Sequence, residues 1–213
     1  MKSPFIFDYT APKNAETGKL YPAVFLLHGM GSNEKDLPVL LNDIKDECHI
    51  FSLQGPILEG QGYAFFTIEE FGKPQRNVFD QVVLHIKAFV DEAIQEYAID
   101  ANKVFLMGFS QGAILTQTLS LVIGGERLAG TVALSGYLPQ HVKEEYGKHS
   151  VKGLPMLITH GTMDYVLPFH WGQASRDFFE EYNADVQFME FEDGHGVTPE
   201  VQREIITFLK SKF

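Results

Sequence analysis

Continuous apolar runs and helically spaced apolar residues alternate along this chain. An uninterrupted run such as 23–27 is typical of a strand buried on both faces of a parallel sheet, whereas looser alternation at 4–9 predicts an edge strand. The remaining runs predict strands at 50–53, 104–107, 131–136, 156–159 and 186–191. Glycine turns follow most of these runs, which indicates that the chain changes direction at the strand ends.

The segments between the runs carry apolar residues at the period of a helix. Residues 76–97 give the clearest pattern, with Val78, Val82, Ile86 and Phe89 on one face. Further helices are predicted at about 34–47, after residue 112, at 170–182 and at 199–213, while 60–72 and 140–152 are predicted as loop and exposed connection. This alternation predicts a doubly wound, mostly parallel α/β sheet flanked by helices.

Length and charge narrow the class of protein. The chain has 213 residues, 45% of them hydrophobic, which suits one domain over 1–213 and leaves too little chain for a separate cap domain. A net charge of −11 repels phosphate backbones and anionic membranes, so nucleic acid is not an expected partner. With neither a signal-peptide pattern nor an apolar run of about 18 residues, we expect a soluble, cytoplasmic protein without integral membrane association.

Cysteine and histidine usage argues against a metal site. Cys48 is the only cysteine, so an internal disulfide and a thiolate cluster are excluded. Its acidic neighbours Asp46 and Glu47 disfavour a thiolate, and we interpret Cys48 as buried and inert. The eight histidines are scattered without a ligand spacing, so no metal is predicted.

The segment 108–112, Gly-Phe-Ser-Gln-Gly, lies where the run at 104–107 gives way to a helical pattern. A strand that turns directly into a helix strains its corner residue and needs small neighbours, which Gly108 and Gly112 supply. Ser110 would then be exposed at the sheet edge as a nucleophile. The plainer interpretation is an ordinary glycine-bordered turn with a capping serine.

Two further strand ends carry residues that complete this chemistry. Ser110, Asp164 and His195 occur in the order nucleophile, acid, base, and an imidazole oriented by a carboxylate can take the serine proton. Asp193 is a less favoured alternative to Asp164, because it is only two residues from His195. His160 and His28 are interpreted as structural, the latter supporting the turn after the first buried strand.

That turn supplies the second donor of a predicted oxyanion hole. Two backbone amides aimed at the developing charge stabilise the transition state of acyl transfer, and those of Met30 and Gln111 are the candidates. The aromatic residues of the 60–72 loop either fill the core, wall an apolar substrate pocket or form a contact between two copies of the chain. For the pocket, we favour Tyr63, Phe65 and Trp171.

Four segments in this order, 27–31, 108–112, 160–168 and 194–195, resemble the carboxylesterase/phospholipase family of small α/β-hydrolases. The resemblance implies an α/β-hydrolase fold, the Ser110, Asp164 and His195 triad, and no cofactor. The 32–37 segment is similar to bacterial carboxylesterases, which implies hydrolysis of short-to-medium acyl esters, small-molecule substrates. Lysophospholipase or acyl-protein thioesterase activity is the alternative, and a non-catalytic ligand-binding protein is an alternative of another class.

Overall fold

The structure, a computed structural model, describes residues 4–147 and 151–213. The strands are β1 (Phe7–Thr10), β2 (Tyr21–Leu27), β3 (His49–Leu53), β4 (Ile57–Glu59), β5 (Gly62–Ala64), β6 (Ile68–Glu70), β7 (Lys73–Pro74), β8 (Ile99–Phe109), β9 (Gly130–Leu134), β10 (Pro155–Gly161) and β11 (Asp185–Phe191). The helices are α1 (Arg76–Glu96), α2 (Gln111–Ile123), α3 (Gln140–Glu145), α4 (Phe169–Glu181) and α5 (Pro199–Lys210).

Seven of these strands form the central sheet, in the order β1-β3-β2-β8-β9-β10-β11. Every neighbouring pair is parallel except β1 with β3, which are antiparallel at one edge. The doubly wound, mostly parallel sheet predicted from the alternating pattern is thereby confirmed. Since β2, β8, β10 and β11 run in the same direction, the loops after them meet at one edge of the sheet.

Successive residues of the central strands enter two different hydrophobic clusters. In β2, Phe25 lies in the cluster that also contains residues of α1, α2 and α4, whereas Val24 and Leu26 lie in the cluster on the other face, with residues of α5. All three side chains are fully buried. Apolar residues at every position of β2 are therefore needed, because both faces of the strand are covered.

Helices α1 and α5 follow the predicted amphipathic pattern. Val82, Ile86 and Phe89 of α1 are buried, as are Val201 and other apolar residues of α5. Helix α5 begins where the Thr198 hydroxyl accepts a hydrogen bond from the Val201 amide at 3.3 Å, as expected for an N-cap.

The prediction of a helix at 34–47 is wrong. This segment contains only a short 3-10 helix, Leu37–Leu41, followed by turns whose bonds span three residues, such as Ile44 N–H to the Leu41 carbonyl at 3.0 Å. Pro38 lies in the first turn and has no N–H to donate. Leu37, Leu41 and Ile44 are nevertheless buried, so the apolar spacing is satisfied without an α-helix.

Two segments predicted as irregular contain regular structure. Strands β4 and β5 pair as one small hairpin, and β6 and β7 pair as another, within the stretch predicted as a loop. The predicted connection 140–152 begins with α3, in which Val142 is buried. Residues 148–150 of that prediction lie outside the described residues.

We predict that Gly112→Ala destabilises the protein strongly. A Cβ at this position would lie 1.9 Å from the Leu27 carbonyl oxygen, and a backbone atom cannot move aside as a flexible side chain can. Overpacking of this severity should lower the free energy of unfolding by about 3 kcal/mol, and with it the Tm by roughly 6 to 12 °C. Thermal unfolding followed by circular dichroism measures the change.

The matched control is Gly147→Ala, where an added Cβ meets no atom within 4 Å. We expect its Tm to stay within about 2 °C of the parent protein. Equal Tm values for the two variants would contradict the proposed close approach of α2 to β2.

Candidate active site

Ser110 occupies a strained corner between the end of β8 and the start of α2. Its φ is 53° and its ψ is −113°, a backbone conformation that residues other than glycine rarely adopt. The backbone is held there on both sides, because the Ser110 amide donates to the Leu134 carbonyl at 2.8 Å and the Ser110 carbonyl accepts from the Ile114 amide at 3.1 Å. The hydroxyl is therefore presented at the sheet edge.

Two glycines make this corner possible. A Cβ at Gly108 would lie 2.2 Å from the Gly112 carbonyl oxygen, and a Cβ at Gly112 would lie 1.9 Å from that of Leu27. Both distances are far below any contact between real atoms. The small residues predicted to flank Ser110 are thus required by backbone packing on two sides.

The side chains of Ser110, Asp164 and His195 form one hydrogen-bonded chain. His195 Nε2 lies 2.8 Å from Ser110 Oγ, and His195 Nδ1 lies 2.7 Å from Asp164 Oδ2. With the ring proton on Nδ1, the imidazole donates to the carboxylate and Nε2 accepts from the serine hydroxyl. This is the arrangement in which a histidine can remove the serine proton.

The hydrogen bonds of Asp164 leave one of its oxygens for the imidazole. Its side chain is buried in the loop after β10, where Oδ1 accepts from the amides of Val166 at 2.9 Å and Leu167 at 2.8 Å. The alternative residue, Asp193, is exposed and accepts from the adjacent Gly194 amide at 2.7 Å. The geometry therefore favours Asp164 as the partner of His195.

His160 is a buried neighbour of the triad. Its Nε2 donates to the Leu167 carbonyl at 2.9 Å and lies 3.4 Å from Asp164 Oδ2. Burial lowers the pKa of His160, which keeps the ring neutral beside the carboxylate. Its contacts support the Asp164 loop, in agreement with a structural interpretation.

His28 secures the turn that carries Met30. Its Nδ1 donates to the Gly29 carbonyl at 2.6 Å, and its Nε2 accepts from the Gly55 amide at 2.9 Å. Burial lowers the pKa of His28, so the neutral ring with one donor and one acceptor fits these two contacts. Both ring nitrogens are occupied, and His28 is not positioned to exchange a proton with a ligand.

Gln111, a predicted oxyanion donor through its backbone, has a second role that the sequence did not reveal. Its side-chain Oε1 accepts from the Phe65 amide at 2.6 Å, and its Nε2 donates to the Phe66 carbonyl at 2.8 Å. A buried amide that forms both bonds ties the start of α2 to the segment after β5. The one sign of this contact in the sequence is that a polar residue stands between Ser110 and the apolar residues of α2.

A cavity of about 240 Å³ opens beside Ser110. It is lined by Met30, Phe66, Ile68, Phe71, Gly72, Ser110, Gln111, Ile114, Tyr137, Val166 and Leu167. Both residues predicted for the oxyanion hole thus border the same space as the serine. Most of the other lining side chains are apolar, so the cavity suits an uncharged hydrocarbon group.

The aromatic residues predicted for the pocket do not line this cavity. Phe65 is fully buried and packs against the His28 ring, with the ring centroids 4.7 Å apart. Tyr63 exchanges backbone hydrogen bonds with the 31–32 turn, and Trp171 packs behind Phe71 at a centroid distance of 4.8 Å. The prediction for Tyr63 and Phe65 is corrected to Phe66 and Phe71 of the same stretch, which line this cavity. Trp171 lines an adjoining cavity instead.

The described residues outside this site contain neither a metal-binding cluster nor a membrane-spanning helix. Within 4–147 and 151–213, no group of three or more histidine, cysteine or acidic residues is arranged to hold a metal ion. In the same residues, every helix is too short or too polar to cross a bilayer. Cys48 is fully buried, and burial raises the pKa of its thiol to about 12, as expected for an unreactive cysteine.

One family model and several relatives of known name match most of the length of this chain. The sequence model of the phospholipase/carboxylesterase family matches residues 14–213. Acyl-protein thioesterase 1 homolog 1 of Dictyostelium discoideum is 32% identical over 83% of this chain and 84% of its own length. Acyl-protein thioesterase 1 of Candida albicans is 27% identical over 94% of this chain and 95% of its own length.

Solved structures share the fold. The carboxylesterase of Bacillus cereus superposes with a TM-score of 0.85 at 24% identity, covering all of this chain and 96% of the other. At that level of identity the likeness concerns the fold alone. It confirms the α/β-hydrolase arrangement of sheet and flanking helices that the sequence predicted.

Proposed function

Because this chain belongs to the phospholipase/carboxylesterase family of α/β-hydrolases, we propose that it is a serine carboxylesterase for short-to-medium acyl esters. That the chain is a hydrolase follows from its family; the triad and the substrate are our proposal. The observation that carries it is the hydrogen-bonded chain from Ser110 through His195 to Asp164, at 2.8 and 2.7 Å. The strained serine corner supports the same assignment.

In the first half-reaction, Ser110 Oγ attacks the ester carbonyl carbon while His195 Nε2 takes the hydroxyl proton. The carbonyl electron pair moves to oxygen, where the amides of Met30 and Gln111 donate hydrogen bonds to the new negative charge. Asp164 holds the Nδ1 proton of the imidazole and stabilises the imidazolium that forms. In this proposal, these groups together account for the formation of the tetrahedral intermediate.

The intermediate collapses when its oxygen re-forms the carbonyl and the bond to the leaving alkoxide breaks. The imidazolium of His195 gives its proton to the alkoxide, and the alcohol departs, leaving an acyl ester on Ser110. A water molecule then attacks this ester with His195 as the base again. The bond between the acyl carbon and Ser110 Oγ then breaks, the imidazolium returns its proton to Oγ, and the products are the carboxylic acid and the free serine hydroxyl.

The cavity beside Ser110 supports an acyl group of modest length. A volume of about 240 Å³ holds roughly eight groups of the size of a water molecule, at about 30 Å³ each. Each buried methylene adds about 0.8 kcal/mol of favourable transfer free energy. Affinity should therefore grow with chain length until the cavity is full.

A second candidate is an acyl-protein thioesterase. It is favoured by relatives of that name at up to 32% identity over more than three quarters of this chain. Ser110 can attack a thioester carbonyl with His195 as the base, and the thiolate leaves more readily than an alkoxide. The difference between the two candidates therefore lies in the acyl length and the leaving group.

We predict that Ser110→Ala abolishes hydrolysis of p-nitrophenyl butyrate. Loss of the nucleophile should reduce kcat by about 10⁴-fold or more, and a fluorophosphonate should no longer label the protein. Ser211→Ala, at the end of α5, is the control and should retain both activity and labelling. Undiminished turnover by Ser110→Ala would exclude the proposed mechanism.

We predict unequal effects of neutralising the two candidate aspartates. Asp164→Asn cannot hold the imidazole in the required tautomer, so kcat on the same ester should fall by about 10⁴-fold. Asp193→Asn, at an exposed position, should change kcat by less than about threefold. Equal losses, or a larger loss for Asp193→Asn, would overturn the assignment of Asp164.

We predict that a panel of graded esters and thioesters separates the two candidate functions. For p-nitrophenyl esters, kcat/KM should rise from acetate to about the octanoate, because the cavity holds roughly eight such groups, and fall for the palmitate. A continued rise to palmitate, with a stronger preference for palmitoyl thioesters, would replace the carboxylesterase proposal by the thioesterase.

A further inference from the structure

A second cavity adjoins the one beside Ser110. It has a volume of about 200 Å³ and is lined by Gly72, Tyr137, Leu138, Gln140, Lys143, Trp171 and Ala174. Gly72 and Tyr137 also line the first cavity, so the two spaces meet at these residues. Unlike the first, the second cavity has a cationic side chain in its wall.

Gly72 borders both cavities, and the edge of the Trp171 ring packs directly against its backbone. Gly72 lies at the tip of the β6–β7 hairpin with a φ of +79°, and an added Cβ would lie 2.6 Å from the edge of the Trp171 ring. Trp171 is fixed by Phe71 on one side and by Tyr137 on the other, at centroid distances of 4.8 and 4.7 Å. A ligand that extends past Tyr137 therefore enters a space with aromatic walls.

Tyr137 brings an unused hydroxyl to this boundary. The residue is 6% exposed, and within the described residues its hydroxyl has no hydrogen-bond partner. The hydroxyl oxygen itself is not fully buried, so water can still reach it. A ligand with an acceptor atom at the boundary would satisfy it.

Lys143 brings an unpaired cation. Its ammonium lies over the Phe178 ring at 5.7 Å and forms no ion pair in the part of the chain that the structure describes. The nearby acids are already engaged, since Asp177 binds Arg176 at 2.7 Å and Glu144 accepts from the Gln140 amide at 2.8 Å. Partial burial lowers the pKa of Lys143, the charge of Asp177 partly offsets this effect, and a carboxylate bound beside the ammonium would offset it further.

We propose that this protein prefers acyl groups that end in a carboxylate, which Lys143 and the Tyr137 hydroxyl bind in the second cavity. This inference rests on the proposed esterase function, because it places the scissile carbonyl at Ser110. The methylene chain would fill the apolar first cavity and pass Gly72. The substrates of this class are monoesters of linear dicarboxylic acids.

The volumes set the length of such a chain. Together the cavities hold roughly fourteen water-sized groups at about 30 Å³ each, and a chain that passes a narrow boundary fills them incompletely. Because the first cavity alone holds roughly eight such groups, the terminal carboxylate reaches the second cavity only in longer acids, such as those from sebacic to tetradecanedioic acid. A monocarboxylic acyl group of the same length leaves the Lys143 ammonium unpaired.

The test compares each mono-p-nitrophenyl ester of sebacic, dodecanedioic and tetradecanedioic acid with its ω-methyl ester, which has the same chain without the charge. For the wild-type protein, kcat/KM should be at least about tenfold higher for the best free acid than for its capped partner, as a charge-assisted hydrogen bond allows. In Lys143→Gln this ratio should fall to about one, and in Tyr137→Phe it should fall to an intermediate value.

Lys103→Gln is the matched control, since it removes a lysine from the opposite end of the sheet and should keep the wild-type ratio. A wild-type ratio of one or less, or a ratio that persists in Lys143→Gln, overturns the inference. Hydrolysis of p-nitrophenyl butyrate separates this failure from that of the proposed function. If butyrate is cleaved and the ratio is one, only the carboxylate subsite is wrong; if butyrate is not cleaved and Ser110 is not labelled, both fail.

Discussion

The approach of α2 to the end of β2 is the contact on which the site depends. Gly112 allows the helix to start against the Leu27 carbonyl, and this forces the chain to turn within the single residue Ser110. Strain at such a residue costs about 1 to 3 kcal/mol and persists only where the surroundings hold it. Because Leu27 also precedes the Met30 turn, the same contact brings the serine and both proposed oxyanion donors to one space.

Polar side chains that join distant segments then fix this arrangement. Gln111 ties the start of α2 to the aromatic segment 65–66, and His28 ties its own turn to Gly55. Asp164 is held by two amides of its loop while it orients His195. Each of these buried groups has its hydrogen bonds satisfied, so the geometry is preorganised before a substrate binds.

The sequence predicted the strands that are buried on both faces of the sheet, but it did not predict the backbone geometry of the shorter segments. Continuous apolar runs located the central strands, and their shared direction placed Ser110, Asp164 and His195 at one edge. The helix at 34–47 failed because apolar spacing of three and four residues also fits 3-10 turns. The sequence predicts Phe65 for the pocket whereas Phe66 lines the cavity, because both lie in a bend between two short hairpins, where no regular alternation shows which side chain faces the cavity.

The proposed triad and the proposed acyl site come partly from different segments of the chain. The triad comes from loops that follow strands of the central sheet, whose register leaves little freedom. The β6–β7 hairpin and the segment between β9 and α3, which pair with no strand of that sheet, contribute Phe71, Gly72 and Tyr137 to the cavity walls, and α3 contributes Lys143. Residues such as Phe71 and Lys143 can therefore change without moving Ser110, so the proposed acyl specificity can be altered separately from the proposed triad.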